Sequence, residues 1–226
     1  MTRRLQLAFV LLLVATTAAA ETLDRIVVVV NRGVILASQW DEAIRFEALT
    51  SGRDINTLTD AECDAALDRL IDQELIQQEM ALTTYRPVAD AEVDAKVNYL
   101  RHQLAPAADD GQWHSLLASY GLTAADVHSH IAGYLDVLRF VDLRFRPSIH
   151  IDTRNIEGYY RTTLVPERQG KGARVPELKQ VSAQIEELLV QQRIDELLTA
   201  YLKNLRAQAR IQRLEEKAPT HEAKAR

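Results

Sequence analysis

Six histidines, one cysteine and a scatter of aromatic residues are the side chains with which this chain could do chemistry. His128 and His130 stand two apart, so on a helix they point about 200° away from each other and cannot chelate one ion as an i, i+4 pair does. His102, His114, His150 and His221 are scattered, and no zinc site is expected. Cys63 falls in the first turn of a predicted helix, where the dipole lowers a thiol pKa. Asp60, Glu62 and Asp64 around it repel a thiolate, so it reads as a small, partly buried residue. G-x-S-x-G, G-x-G-x-x-G and phosphate loops ending in Lys-Ser or Lys-Thr are all missing. The expectation is no catalytic residue, no metal and no cofactor. What is left is contact chemistry, with Trp113 and Tyr99 as the leading candidates and Tyr120, Trp40, Phe46, Tyr134 and Phe140 behind them.

The elements that must position these residues begin after a leader. Residues 1 to 20, MTRRLQLAFVLLLVATTAAA, hold two arginines, an apolar run from Leu5 to Val14 and a closing Ala18-Ala19-Ala20. This is the pattern of a secretory signal peptide cleaved after Ala20. The apolar run falls short of the roughly 20 residues that span a bilayer, so no stable membrane insertion is expected. Without Arg3 and Arg4 the chain keeps 25 basic against 32 acidic residues, a formal charge of −7. That balance argues against nucleic-acid binding, which works by neutralising phosphates. A lone cysteine forms no intramolecular disulfide, so packing must supply the stability.

Asp24 to Val30 reads as a strand, Asn31-Arg32-Gly33 as a tight turn with Gly33 supplying the positive φ, and Val34 to Leu36 as a second strand. Val27 to Val30 are apolar on both faces, so both should be covered. Two strands alone are marginal, and the hairpin needs a partner. Helices follow, and their starts carry capping patterns: Ser38 with Asp41, Thr59 with Glu62, Thr123 with Asp126. Leu67, Leu70, Ile71, Leu75 and Ile76 form one apolar stripe; Val93, Val97, Leu100 and Leu104 form the next, ending before Pro106. After a loop from Ala105 to Gly111 comes a short helix with Trp113, Leu116, Leu117 and Tyr120. Val127, Ile131, Tyr134, Leu138 and Val141 mark the inner face of the helix that Pro147 stops. A smaller helix holds Ile156, Tyr159 and Tyr160, followed by a polar loop over 162–175. The last helix starts after Pro176 and runs to about Gln208, with Leu178, Val181, Ile185, Leu188, Leu197, Leu198, Tyr201, Leu202 and Leu205 as its stripe. Gln191, Gln192 and Asp195 break any sustained heptad. ARIQRL then offers a short strand at Ile211 that could pair with Ile26 to Val30, and the charged tail 215–226 reads as disordered. The fold class is mostly α, a multi-helix core with a small N-terminal hairpin that a C-terminal strand could join.

The hairpin-to-helix stretch VVNRGVILAS, the helix LIDQELIQQEM, the stretch GLTAADVHSHI and the final helix and strand together resemble the SurA-type periplasmic chaperones over residues 22 to 214. The resemblance implies a chaperone region over 21–161, completed by the helix and strand of 176–214, with the C-terminal strand beside the hairpin. It also implies a periplasmic protein that needs no ATP and binds unfolded polypeptides, outer-membrane β-barrel proteins above all. Family members commonly carry parvulin-type isomerase domains where this chain has only Thr162 to Val175; fourteen residues do not make a domain, which takes about 50 or more. No isomerase is therefore expected. The competing expectation is a scaffold for one dedicated partner, or a homodimer that exchanges its C-terminal helix with the 162–175 segment as hinge.

Overall fold

In the computed structural model, which describes residues 24–105 and 109–214, the chain is mostly helical around a small antiparallel sheet. The expected signal peptide of 1–20 and tail of 215–226 lie outside the described residues, as do residues 106–108 of the expected loop.

Strand β1 (Ile26–Val30) pairs with β2 (Gly33–Leu36) and, on its other edge, with β3 (Ile211–Arg213). The partnership read from ARIQRL is thus present, in the register Val28↔Arg213, Val29↔Gln212 and Val30↔Ile211. Val27, Val28 and Val30 are all fully buried, so both faces of β1 are covered. The positive φ of the turn sits at Asn31 (56°), not at Gly33. Gly33 is needed for room instead, because a Cβ there would meet the Glu74 carboxylate and, at 3.0 Å, the Gln78 amide.

Asn31 repays its strained backbone with contacts. Its N–H donates to the Arg210 carbonyl (2.8 Å), its Oδ1 accepts from the Arg210 N–H (2.8 Å), and its Nδ2 donates to Gln78 (2.9 Å). Gln78 in turn donates to the Val30 carbonyl at 3.0 Å. One side chain therefore ties the hairpin turn to the C-terminal strand and to a helix.

The helices are α1 (Ala37–Ser51), α2 (Asp60–Ala81), α3 (Asp90–Leu104), α4 (Asp110–Ser119), α5 (Ala124–Phe145), α6 (Thr153–Tyr159), α7 (Val165–Gly170) and α8 (Leu178–Gln208). Thr59 with Glu62 and Thr123 with Asp126 cap α2 and α5 as the sequence predicts. Ser38 does not cap α1. The strand runs straight into the helix at Ala37, which leaves Ser38 in the first turn, bonded through its N–H and hydroxyl to Asp24, while Gln39 accepts the Leu36 N–H at 2.8 Å.

The 162–175 segment is also corrected. Most of it is helix: α6 passes through a π turn at Tyr160–Leu164 into α7, and the irregular stretch is confined to 171–177. Pro166 explains the wide turn, since a proline ring crowds the carbonyl four residues back and the Val165 N–H reaches Tyr160 instead.

Among the described residues packing divides into three cores. The first joins the sheet, α1 and the N-terminal half of α2 around Trp40, Ile44, Leu67 and Ile71. The second joins α3, α4 and the start of α5 around Val93, Trp113, Leu117 and Val127. The third joins the end of α2 to α5 and α8 through Ile76, Phe140, Val141 and Ile194. Arg206 of α8 reaches Asp72 (2.6 Å) and Asp68 (3.2 Å) of α2, and Tyr201 donates to Glu79 at 2.8 Å. Burial first, then the Glu79 carboxylate, push the Tyr201 phenol up to about 12.

Asn31→Ala should cost about 2–3 kcal/mol, from a left-handed alanine and the lost side-chain bonds, whereas Asn31→Gly keeps the φ and should cost about 1–2 kcal/mol. Urea unfolding of the two variants checks the order; equal losses would mean that the backbone conformation of the turn contributes nothing.

Candidate functional site

The three cores do not merge. Where they meet, α1, α2, α5 and α8 leave an open apolar groove of about 590 Å³. Its walls come from all three: Leu70 belongs with the first core, Phe46, Leu100 and Ile131 with the second, Ile76, Val137, Leu198 and Leu202 with the third. The gap has a steric cause. Ala43 and Ala66 put only methyl groups at the crossing of α1 and α2, and Thr50 and Gln73 add polar tips that do not fill apolar space.

Tyr134 stands at the mouth of the groove, 48% exposed. One turn further along α5, Leu138 is 42% exposed. Both are expected on the inner face of this helix; each instead lines an opening that the neighbouring helices leave, Tyr134 in this groove and Leu138 in a cleft beside α8. Four residues before Tyr134 on the same helix, the His130 ring stacks on Phe46 of α1 with centroids 3.8 Å apart and planes at 25°. Burial lowers the His130 pKa from its ordinary value, so the ring is neutral at pH 7 and counts as part of the apolar lining. Glu47 and Arg69 pair with each other on the rim, and Asp72 is held by Arg206, so the charged residues of the groove are already engaged.

The seven aromatic candidates separate by location. Phe46 and Tyr134 line the groove. Trp40 is fully buried in the first core, its indole N–H donating to the Cys63 carbonyl at 2.8 Å. Trp113 is 4% exposed and Phe140 6%, the latter edge-on to Tyr85 at 6.1 Å. These three present no surface to a partner, which corrects their nomination as contact residues: each fills the core beneath a short helix or a crossing. Tyr99 is on the surface at 57% exposure, with Lys96 5.0 Å over its ring, but lies outside the groove. Tyr120 is half-buried against the second core and ends α4, its carbonyl accepting from Arg45 at 3.1 Å.

The sequence suggests His130 only as a metal ligand and gives no place to it in the groove wall. The available signal was its position four residues before Tyr134 on one helix face. Val137 and Ile194 were also passed over; Ile194 is 2% exposed and is where α8 enters the third core.

Cys63 is buried, and burial followed by Asp60, Asp64 and Glu62 pushes its thiol up. Arg101, Arg139 and Arg146 are ion-paired, and Arg144 lies 4.5 Å over the Tyr201 ring. Among the described residues no group of three or more His, Cys, Asp or Glu comes together to hold a metal ion, and no helix is long and apolar enough to cross a membrane. No protein-family model matches the chain, and no curated protein matches it either.

Because the folded state resists protonating His130 while the unfolded chain takes the proton near pH 6.5, this residue's contribution to stability is lost as pH falls below about 6.5. His130→Phe keeps the stack and removes the titration. Urea midpoints on either side of pH 6.5 should therefore fall less for the variant than for the parent; identical pH dependence would place the ring in water.

Proposed function

We propose that this protein is an ATP-independent periplasmic chaperone that covers apolar segments of unfolded polypeptides, outer-membrane β-barrel proteins above all, and limits their aggregation. The observation that carries the reading is the unfilled apolar groove between α1, α2, α5 and α8, with Phe46, His130 and Tyr134 in its walls. The sheet adds support, because β3 beside the N-terminal hairpin is the arrangement that the SurA-type resemblance implies.

Magnitudes set the character of such binding. From His130 to Val137 the groove follows α5 for roughly 10 Å, enough for about three residues of extended chain. Two or three covered side chains contribute about 1.5–3 kcal/mol each, and ordering three client residues costs about 1–2 kcal/mol each. The two nearly cancel. A single visit is weak and tolerant of sequence, and retention of a client depends on repeated engagement along its length. An unfolded β-barrel strand suits this, because alternate residues along it are apolar and face one side. On this reading the protein catalyses nothing, and prolyl isomerisation belongs to other proteins.

The test dilutes an unfolded outer-membrane β-barrel protein out of urea into the chain from Glu21 onward, without ATP, and follows light scattering. Near-stoichiometric chaperone should suppress aggregation, and Tyr134→Ser, at an exposed site that leaves the fold intact, should need severalfold more protein for the same effect. No suppression at any ratio would remove general client binding and leave the scaffold or helix-exchanged dimer.

A further inference from the structure

We propose that the cleft between α3, α5 and α8 is a second docking site, which takes a polypeptide segment carrying an aliphatic side chain next to a lysine or arginine. This cleft holds about 420 Å³ and opens past Glu92 of α3, on a side that α1 and α2 do not line. It touches the groove only at Leu198, and the proposal stands whether or not the groove holds clients.

Its floor is apolar. Leu138 lies there 42% exposed, midway along a 22-residue helix, beside Leu135 and Val141 and facing Ile194 of α8. Its rim is acidic. Of its three carboxylates, Glu92, Asp142 and Asp195, only Asp195 has no arginine against it among the described residues. Arg139 is engaged by Glu92, and Asp142 by Arg146 at 2.6 Å. Asp195 has no cation among the described residues; its carboxylate meets only the Gln191 amide, at 3.4 Å.

Charge complementarity selects the occupant. A lysine or arginine laid over Leu138 would cover apolar surface with its methylene stem and carry its charge out to Asp195. The same rim disfavours an acidic segment, and it disfavours a second copy of this chain, whose own formal charge is −5.

Fluorescence anisotropy with a labelled short peptide of alternating leucine and lysine tests this, with leucine–glutamate and serine–lysine peptides as comparisons. The leucine–lysine peptide should bind and weaken with added salt. Measured in the Tyr134→Ser background, where the groove is impaired, Asp195→Lys, at an exposed position, should weaken binding about fivefold and Leu138→Ser about tenfold. In that background, failure of the leucine–lysine peptide to bind, equal binding by either comparison peptide, or insensitivity to both Asp195→Lys and Leu138→Ser would each overturn the proposal. Loss of aggregation suppression with peptide binding intact would count against the chaperone reading alone.

Discussion

Everything in this fold hangs on a pairing between its two ends. β1 is a run of valines that needs neighbours on both edges. β2 supplies one, and the other arrives from a strand whose first residue follows Val30 by 181 positions. Closing so long a loop costs entropy before any contact returns it. The return is concentrated at Asn31, where a left-handed residue, two bonds to Arg210 and one to Gln78 converge. Seating β3 anchors the C-terminal end of α8. Arg206 and Tyr201 then fasten it along α2, and the Arg146–Glu187 pair fastens it at the far end of α5.

A frame held at its ends can leave its middle unfilled. The three cores bury Trp40, Trp113 and Phe140 respectively, and residues of each line the space between them without filling it. In an ordinary domain that space would collapse, since empty apolar volume forfeits dispersion contacts. Here α8 cannot close on α1 without breaking its ties to α2. The resulting surface is apolar, rigidly framed and open, a combination suited to brief contact with extended chain.

Sequence periodicity carried most of the architecture. The stripes of α2 and α3, the Thr59 and Thr123 caps, the limits of α8 and the return of Ile211 to the hairpin all follow from local chemistry, and local chemistry survives folding. The misread helix faces share one cause. Periodicity tells which face of a helix is apolar but not whether another element crosses it: Tyr134 and Leu138 lie on the inner stripe of α5 and remain exposed, while Trp113, beside a loop, is buried by α4 capping the second core. Ser38 and the 162–175 segment failed for a different reason. A helix can begin directly from a strand, and a proline can be absorbed by a π turn, without changing the composition that suggests a cap or a loop.

The central claim is that unfolded chain lies in the groove between α1, α2, α5 and α8. A photo-crosslinking amino acid placed at position 134, and separately at position 99, in the presence of an unfolded outer-membrane β-barrel protein tests it most directly. Both positions are exposed, so access is matched. The account predicts client adducts at 134 and few at 99. Equal yields at both positions, or adducts at 99 alone, would contradict it.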